Sequence, residues 1–321
     1  MTSYDCITVG DISLDRFMKL SHVTREPSTT NPGNSNLILE VGQKVPVDQV
    51  IESIGGNACN VAAGLQSLGL RVAVYSHIGT DDTSEILLHH FRDLGLSEEL
   101  LCRHEGETTN SATIISLDHD RIILSYHAPR SYTPRALPEA PWLYLTSLGE
   151  GSDSLISQCL GECTNSSRKI AFNPGSHYMK HKLPLIRSML PELDVLLVNK
   201  EEAQLILDTS EESIPELLRM LVEHQVTLPV ITDGKAGAYT IDSDGTLIDQ
   251  PAIPVGQLQE TTGAGDAFAS GFMSAYIQGQ SLDQCLAVGA ANSGSVITQV
   301  GATNGLLSPE TLAPIIAEHT R

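Results

Sequence analysis

The sequence predicts an α/β fold: a three-layer α/β/α sandwich with a mostly parallel central sheet, to which a small β lid is added. The first observation behind this is alternation. Val72 to Ile78 is an apolar run followed by a helical pattern from Ser84 to Leu94, and Asp194 to Val198 is followed by one running through Ile206. Strands that alternate with amphipathic helices over short links build a parallel sheet covered on both faces, with right-handed crossovers. The second observation is that two β-rich insertions break the alternation, at about residues 16–52 and 108–128. Two such insertions can pair into a satellite sheet whose natural place is over the strand ends. No repeat or linker divides the 321 residues, so 1–321 is read as one domain.

Taken in order, Cys6 to Val9 is a short apolar strand that runs into Gly10, Asp11 and, shortly after, Asp15. Acidic residues at the carboxyl end of a parallel strand stand on the functional edge of such a sheet, or else in a solvated turn. A dinucleotide-binding fold would carry three spaced glycines here, and this chain does not. Residues 21–36 are rich in Pro, Ser, Thr and Asn and read as a loop; Leu37 to Val41 and Lys44 to Ile54 read as strands. Gly55, Gly56, Asn57 and Asn60 open a helix whose apolar face is Val61, Leu65 and Leu68, with Gly69 as its stop. Ser111 to Tyr126 is strand-like around the turn Asp118-His119-Asp120, and Trp142 to Leu145 and Lys169 to Phe172 are further strands.

Asn199 and Glu202 flank the first turn of the helix after Asp194–Val198. They fit a capping box, and they equally fit a carboxylate that holds hydrated Mg²⁺. Leu228 to Thr232 is a strand, followed by Gly234 and Gly237 around Lys235, a phosphate cradle or a tight turn whose spacing is not that of a P-loop. Leu247 to Val255 is β-rich and interrupted by Pro251 and Pro254, so that the glycines of Glu260-Thr261-Thr262-Gly263-Ala264-Gly265-Asp266 lie where a strand turns into a helix. Such a junction offers unpaired N–H groups and the positive end of a helix dipole to an anion. Asp266 inside it suits a base that takes a proton from an attacking hydroxyl.

Composition narrows the partners. Thirty-nine acidic residues against 19 basic ones give a formal net charge of −20, a field that repels nucleic acid and anionic membranes. The six cysteines are scattered without a paired framework, which fits a reducing, cytoplasmic setting, as does the lack of a signal-peptide pattern or of an apolar run long enough to span a bilayer. Cys159 and Cys163 stand four apart with no histidine pair nearby, so they read as ordinary thiols.

Together, Gly10-Asp11 with Asp15, the stretch from Gly55 to Ala62, Asn199 to Glu202, Thr232 to Ala238 and Thr261 to Asp266 occur in the order and spacing of the ribokinase-like, or PfkB, carbohydrate kinases. The chain resembles that family over nearly its whole length. The resemblance implies transfer of the ATP γ-phosphoryl group to a hydroxymethyl group of a sugar or nucleoside. It implies Asp266 as catalytic base and Gly263, Ala264 and Gly265 as the anion hole. Asp11, Asp15, Gly55, Gly56, Asn57 and Asn60 would then hold the acceptor, and Asn199, Thr232, Gly234, Gly237 and, more loosely, Asn292 the nucleotide. Glu202 would bind Mg²⁺ through water. Glu260 replaces the commoner Asp of the family's motif and, one methylene longer, is the candidate ligand for K⁺. Arg121, His127 and Arg130 are further candidates for the acceptor pocket. A sugar is the expected acceptor and a nucleoside the alternative; a non-catalytic sugar or nucleotide sensor is a third reading, against which the retained base counts. The open edges of the β insertions lead us to expect a homodimer formed through the lid.

Overall fold

The computed structural model describes residues 3–20, 23–28, 35–117, 120–164 and 166–319. Seven strands run parallel in the order β7 (Leu101–Arg103), β6 (Val72–Ile78), β1 (Cys6–Val9), β10 (Trp142–Leu145), β11 (Lys169–Phe172), β12 (Val195–Asn199) and β13 (Leu228–Thr232). The antiparallel strands β14 (Ala238–Ile241) and β15 (Leu247–Gln250) complete a nine-stranded sheet beyond β13. Strands buried on both faces need apolar residues at every position, and β1, β6 and β10 are buried throughout.

Side chains alternate between the faces, and the two cores follow that period of two. Cys6, Val72, Val74 and Tyr144 face α1 (Asn57–Ser67), α2 (Asp82–Asp93), α8 (Ala264–Ile277) and α9 (Leu282–Val296), with α10 (Pro309–His319) packed outside α9. Ile7, Val9, Ala73 and Leu143 face α3 (Asp153–Thr164), α4 (Gly175–His181), α5 (Leu183–Met189), α6 (Lys200–Leu207) and α7 (Ile214–Glu223). This is the expected three-layer arrangement. Among the described residues no helix is long and apolar enough to cross a membrane, and all six cysteines are free thiols.

A separate four-stranded sheet runs β5 (Gln49–Gly55), β2 (Ser13–Lys19), β8 (Ser111–Leu117) and β9 (Asp120–Tyr126). Its strands begin at Ser13 and end at Gly55 in the first insertion, a few residues outside 16–52, and fall within 108–128 in the second. Strand β2 is the main element that sequence reading passes over. Its charged residues Asp15, Arg16 and Lys19 obscure a strand signal, yet it is the central strand, bonded to β5 on one side and β8 on the other. Asp15 therefore stands in the second sheet and not in a turn after β1. The turn expected at Asp118-His119-Asp120 lies for its first two residues outside the described residues.

Three further expectations are corrected. β3 (Thr24–Pro27), within the segment read as a loop, pairs antiparallel with β4 (Ser35–Ile38), which begins in that segment and takes in Leu37 and Ile38 of the expected strand, whereas Leu39 to Val41 and Lys44 to Asp48 form none. The short β7 is added at the sheet edge. Last, β15 stops at Gln250, where Pro251 removes a backbone donor, and residues 251–263 form no regular element. The glycines of the 260–266 stretch thus follow a long crossing and not a strand. Helix α8 owes its placement to α1: a Cβ on Gly64 of α1 would stand 2.1 Å from Ser270 Oγ of α8, so the two helices lie in close contact.

Candidate active site

The site is built where β1 ends, β2 begins and the N-termini of α1 and α8 meet. Asp11 follows β1 and is tied down by its neighbours. Tyr132 donates its hydroxyl to both carboxylate oxygens, at 2.9 and 2.8 Å, and the Gly149 amide donates to Oδ2 at 2.8 Å. Burial raises the Asp11 pKa, while those donors and the Arg130 and His127 charges oppose the rise. Asp15 has less support, since Ser13 Oγ donates to Oδ1 at 2.8 Å and burial pushes the carboxyl up to about 6. Its carboxylate fills the space beside Gly55, where a Cβ would come within 2.1 Å of Oδ2. Gly56 has φ +88°, and a Cβ there would meet the Asp11 carbonyl oxygen at 2.4 Å. These two glycines let the start of α1 lie against the β1–β2 turn.

Asp266 lies in the first turn of α8. Asn60 Nδ2 donates to its Oδ2 at 2.8 Å and Asn57 Nδ2 to its Oδ1 at 3.0 Å, so each carboxylate oxygen takes one amide from the first turn of α1. Burial pushes the Asp266 carboxyl up to about 6; the two amides oppose that, and the charges of Asp15 and Glu202 add to it. Gly263 caps the helix at φ +79°, with Ala302 Cβ only 2.5 Å from where its own Cβ would be. Gly265 has no such reason to be glycine: it is helical, exposed, and nothing lies within 4 Å of its missing Cβ.

Beside this junction opens a cavity of about 260 Å³, lined among others by Asp11, Asp15, Gly56, Asn57, Asn110 and His127. Asn110 is one of the site residues the sequence did not reveal. It is 2% exposed, its Oδ1 accepts from the Ala128 amide at 2.9 Å, and its buried Nδ2 has no partner, leaving a donor for a polar ligand. Tyr132 and Gly149, which fix Asp11, were also missed. None of the three belongs to a local motif, and only the folded chain brings residues 110, 132 and 149 to the cavity beside residue 11. Of the three basic candidates, His127 lines the cavity. Arg130 is buried and donates to the Thr108 carbonyl, and Arg121 reaches from β9 to the 260–261 segment instead.

On the other side of Asp266, Asn199 and Thr232 are partners in the β12–β13 register, so the sheet brings two of the proposed nucleotide residues together. Asn199 and Glu202 do form a capping box: Glu202 N donates to Asn199 Oδ1 at 2.8 Å and Asn199 N to Glu202 Oε2 at 2.9 Å. Burial raises the Glu202 pKa. Gly234, at φ +49°, borders open space; Gly237, at φ +111°, would bring a Cβ within 2.2 Å of Gln250 O, so its glycine serves the tight turn against β15.

Asn292 departs from expectation. It is fully buried, with Nδ2 bonded to Ala267 O at 2.8 Å and to Ser270 Oγ at 3.2 Å, and Oδ1 to Leu307 N at 3.0 Å. Its amide joins α8, α9 and the segment before α10 and is removed from the set of nucleotide contacts.

For the cations, the donors differ in fit. Among the described residues no three His, Cys, Asp or Glu side chains cluster to cage a metal. Mg²⁺ keeps its waters and needs only one or two carboxylates beside substrate phosphates, and Glu202 is the carboxylate that would hold it. Glu260 fits K⁺ poorly. Its Oε1 already accepts from Thr262 N at 3.2 Å and Thr262 Oγ1 at 2.7 Å, and faces Arg121 Nη1 at 3.6 Å.

A sheet of this order, a second sheet at its strand ends and a carboxylate in the first turn of a glycine-capped helix define a phosphotransferase of ribokinase architecture. Residues 29–309 match the pfkB family carbohydrate kinase model, and the chain belongs to that family. It is 31% identical over 257 residues to a cytidine kinase of Thermococcus kodakarensis, covering 77% of this chain and 88% of that one. It is 22% identical over 281 residues to a nucleoside kinase of Methanocaldococcus jannaschii, covering 87% and 91%. The structure of Arabidopsis thaliana ribokinase complexed with ribose and ATP superposes with a TM-score of 0.80 at 17% identity, over 98% of this chain and 99% of that one.

Proposed function

We propose that the protein transfers the γ-phosphoryl group of ATP to a hydroxymethyl group of a small sugar. The observation that carries this is the placement of Asp266 between the acceptor cavity and the glycine-capped start of α8. Asp266 takes the proton of the acceptor hydroxyl while its oxygen bonds to the γ-phosphorus, and the bond from phosphorus to the β–γ bridging oxygen breaks to leave ADP. The N–H groups at Gly263 and Gly265, with that of Ala264 once it leaves the Thr261 carbonyl to which it donates at 3.3 Å, stabilise the charge spread over the transferring group. Asp11, Asp15 and Asn110 hold the other acceptor hydroxyls, and Gly56 and Asn60 complete the wall. Asn199, Thr232, Gly234 and Gly237 border the nucleotide, and Glu202 holds Mg²⁺ through water. Bound Mg²⁺ supplies charge neutralisation at the phosphates.

A nucleoside acceptor is the second reading, favoured by the identity to the cytidine kinase and by Tyr126, His127 and His177 at the cavity wall, rings that suit a base. The second sheet acts as a lid over the cavity. Its exposed Val50 and Leu124 support a homodimer through that sheet, which light scattering tests. The cytoplasm is the compartment that the free thiols suit.

The test is transfer of labelled γ-phosphate to a panel of pentoses, hexoses, sugar acids and nucleosides with Mg²⁺, wild type against Asp266→Asn. Transfer to one class of acceptor, lost in the variant, supports the reading. Tight sugar binding with no transfer to any acceptor supports the sensor instead.

A further inference from the structure

The two amides on Asp266 are not equivalent. Asn60 is buried, 6% exposed, and its bond to Asp266 Oδ2 at 2.8 Å is the only one its side-chain amide makes among the described residues, so leaving the carboxylate would strand a second buried polar atom beside its unpartnered Oδ1. Asn57 is partly exposed and lines the acceptor cavity. Asp266 itself is not among the cavity-lining residues, and the 3.0 Å bond from Asn57 Nδ2 to Oδ1 covers one side of the base. A carboxylate oxygen that must receive the acceptor's proton is therefore occupied by a donor on the side from which the acceptor arrives.

Resting on the kinase reading, we propose that Asn57 is a positioning residue that holds Asp266 in the acceptor-free protein and gives up its place to the acceptor hydroxyl. Asn60 keeps Oδ2 fixed throughout, so the carboxylate does not rotate when the exchange occurs at Oδ1. The exchange substitutes one donor for another: the amide N–H leaves and the acceptor O–H arrives, with no buried lone pair left unpaired. The amide also holds the free base ionised. The charged groups acting on Asp266 from the surrounding elements are Asp15 of β2 and Glu202 of α6, and both disfavour its ionised form; the Cys59 thiol of α1 and the Tyr144 phenol of β10 also face it, and burial keeps both neutral. Asn57 and Asn60 are the donors set against them.

The kinetic signature is asymmetric. The acid limb of kcat/KM reports the free enzyme and that of kcat the complex. In Asn57→Ala the kcat/KM limb moves to higher pH by roughly one unit, a loss of about tenfold on the acid side, because the free carboxylate has lost a donor. The kcat limb stays in place, because in the complex the acceptor already occupies that position. Asn57→Ser, with a shorter donor, restores part of the shift. Movement of both limbs together, or of neither, overturns the proposal, as does a raised KM with both limbs unmoved.

A second measurement separates this proposal from the kinase reading. Carboxyl ¹³C NMR of acceptor-free protein, with the Asp266 signal assigned by its absence in Asp266→Asn, gives the titration midpoint directly. A higher midpoint in Asn57→Ala supports the contact, and an unchanged midpoint overturns the proposal even where transfer is observed. A higher midpoint without transfer to any acceptor overturns the kinase reading and leaves the contact standing. Matching thermal unfolding of wild type and variant excludes a folding defect as the cause of either result.

Discussion

The Arg121 guanidinium of β9 lies 3.6 Å from the Glu260 carboxylate, and it also donates to Thr261 Oγ1. A strand of the second sheet is thereby joined to the segment leading into the glycine cap of α8. Glu260 is only 9% exposed, and a buried carboxylate needs a counter-charge. Arg121 is the positive charge placed beside it, and the expectation that follows is that no bound cation is needed there. Phosphoryl transfer by the wild type is expected to proceed at the same rate in K⁺ as in tetramethylammonium salts. Arg121→Ala should lower the rate and make what remains depend on K⁺. A wild type that is inactive without K⁺ would show that Arg121 leaves the site when the enzyme works.

Asp15 and Asp266 both have carboxyl pKa values raised to about 6. In the proposed reaction each acts as an ionised group, one accepting from the acceptor's hydroxyls and one taking a proton. Protonation therefore abolishes both roles as the pH falls through 6, and activity is lost on that side and retained above it. The acid limb of log kcat/KM should steepen toward a slope of two, and Asp15→Asn should reduce it to one. A slope of one in wild type would remove Asp15 from the ionised set.

Asp266→Asn removes the base while keeping the shape and one acceptor oxygen. The loss expected in kcat is about 10²- to 10⁴-fold, the usual contribution of a general base, with nucleotide affinity little changed. Retention of more than a tenth of wild-type kcat would assign the proton to another group.

The two glycines of the proposed anion hole should separate stability from catalysis. At Gly263, with positive φ and Ala302 in contact, an alanine is expected to destabilise the fold by about 1–3 kcal/mol. At Gly265 the backbone is helical and the space open, so alanine should stabilise by about 0.5–1 kcal/mol. If a phosphate approaches there, the same methyl group lowers kcat/KM for ATP. Denaturant unfolding and steady-state kinetics on both variants make the comparison; a Gly265→Ala enzyme with unchanged kinetics would take Gly265 out of the anion hole.

Asn292→Ala leaves Leu307 N inside the protein without its partner, while Ala267 O keeps the Ser270 hydroxyl. Unfolding free energy should fall by about 1–3 kcal/mol while KM for ATP stays constant. A KM rise at unchanged stability would return Asn292 to the nucleotide site.

The sequence by itself determined the layered α/β class, most strands of the main sheet and the candidate base. Those features are local: a buried strand declares itself in consecutive apolar residues, a helix start in its glycines and caps, and a base in a carboxylate placed where anions bind. The tertiary structure alone decided which side chains share a cavity. Asp15 belongs to β2, whose strand character comes from neighbours distant in the chain. Tyr132 and Gly149 hold Asp11 from more than 120 residues away. Asn292 faces inward because α8 and α9 pack along that side. Arg121 meets Glu260 because the second sheet reaches the segment before the α8 cap. Pairing, facing and counter-charge depend on contacts made across sequence separation, and no window of residues contains them.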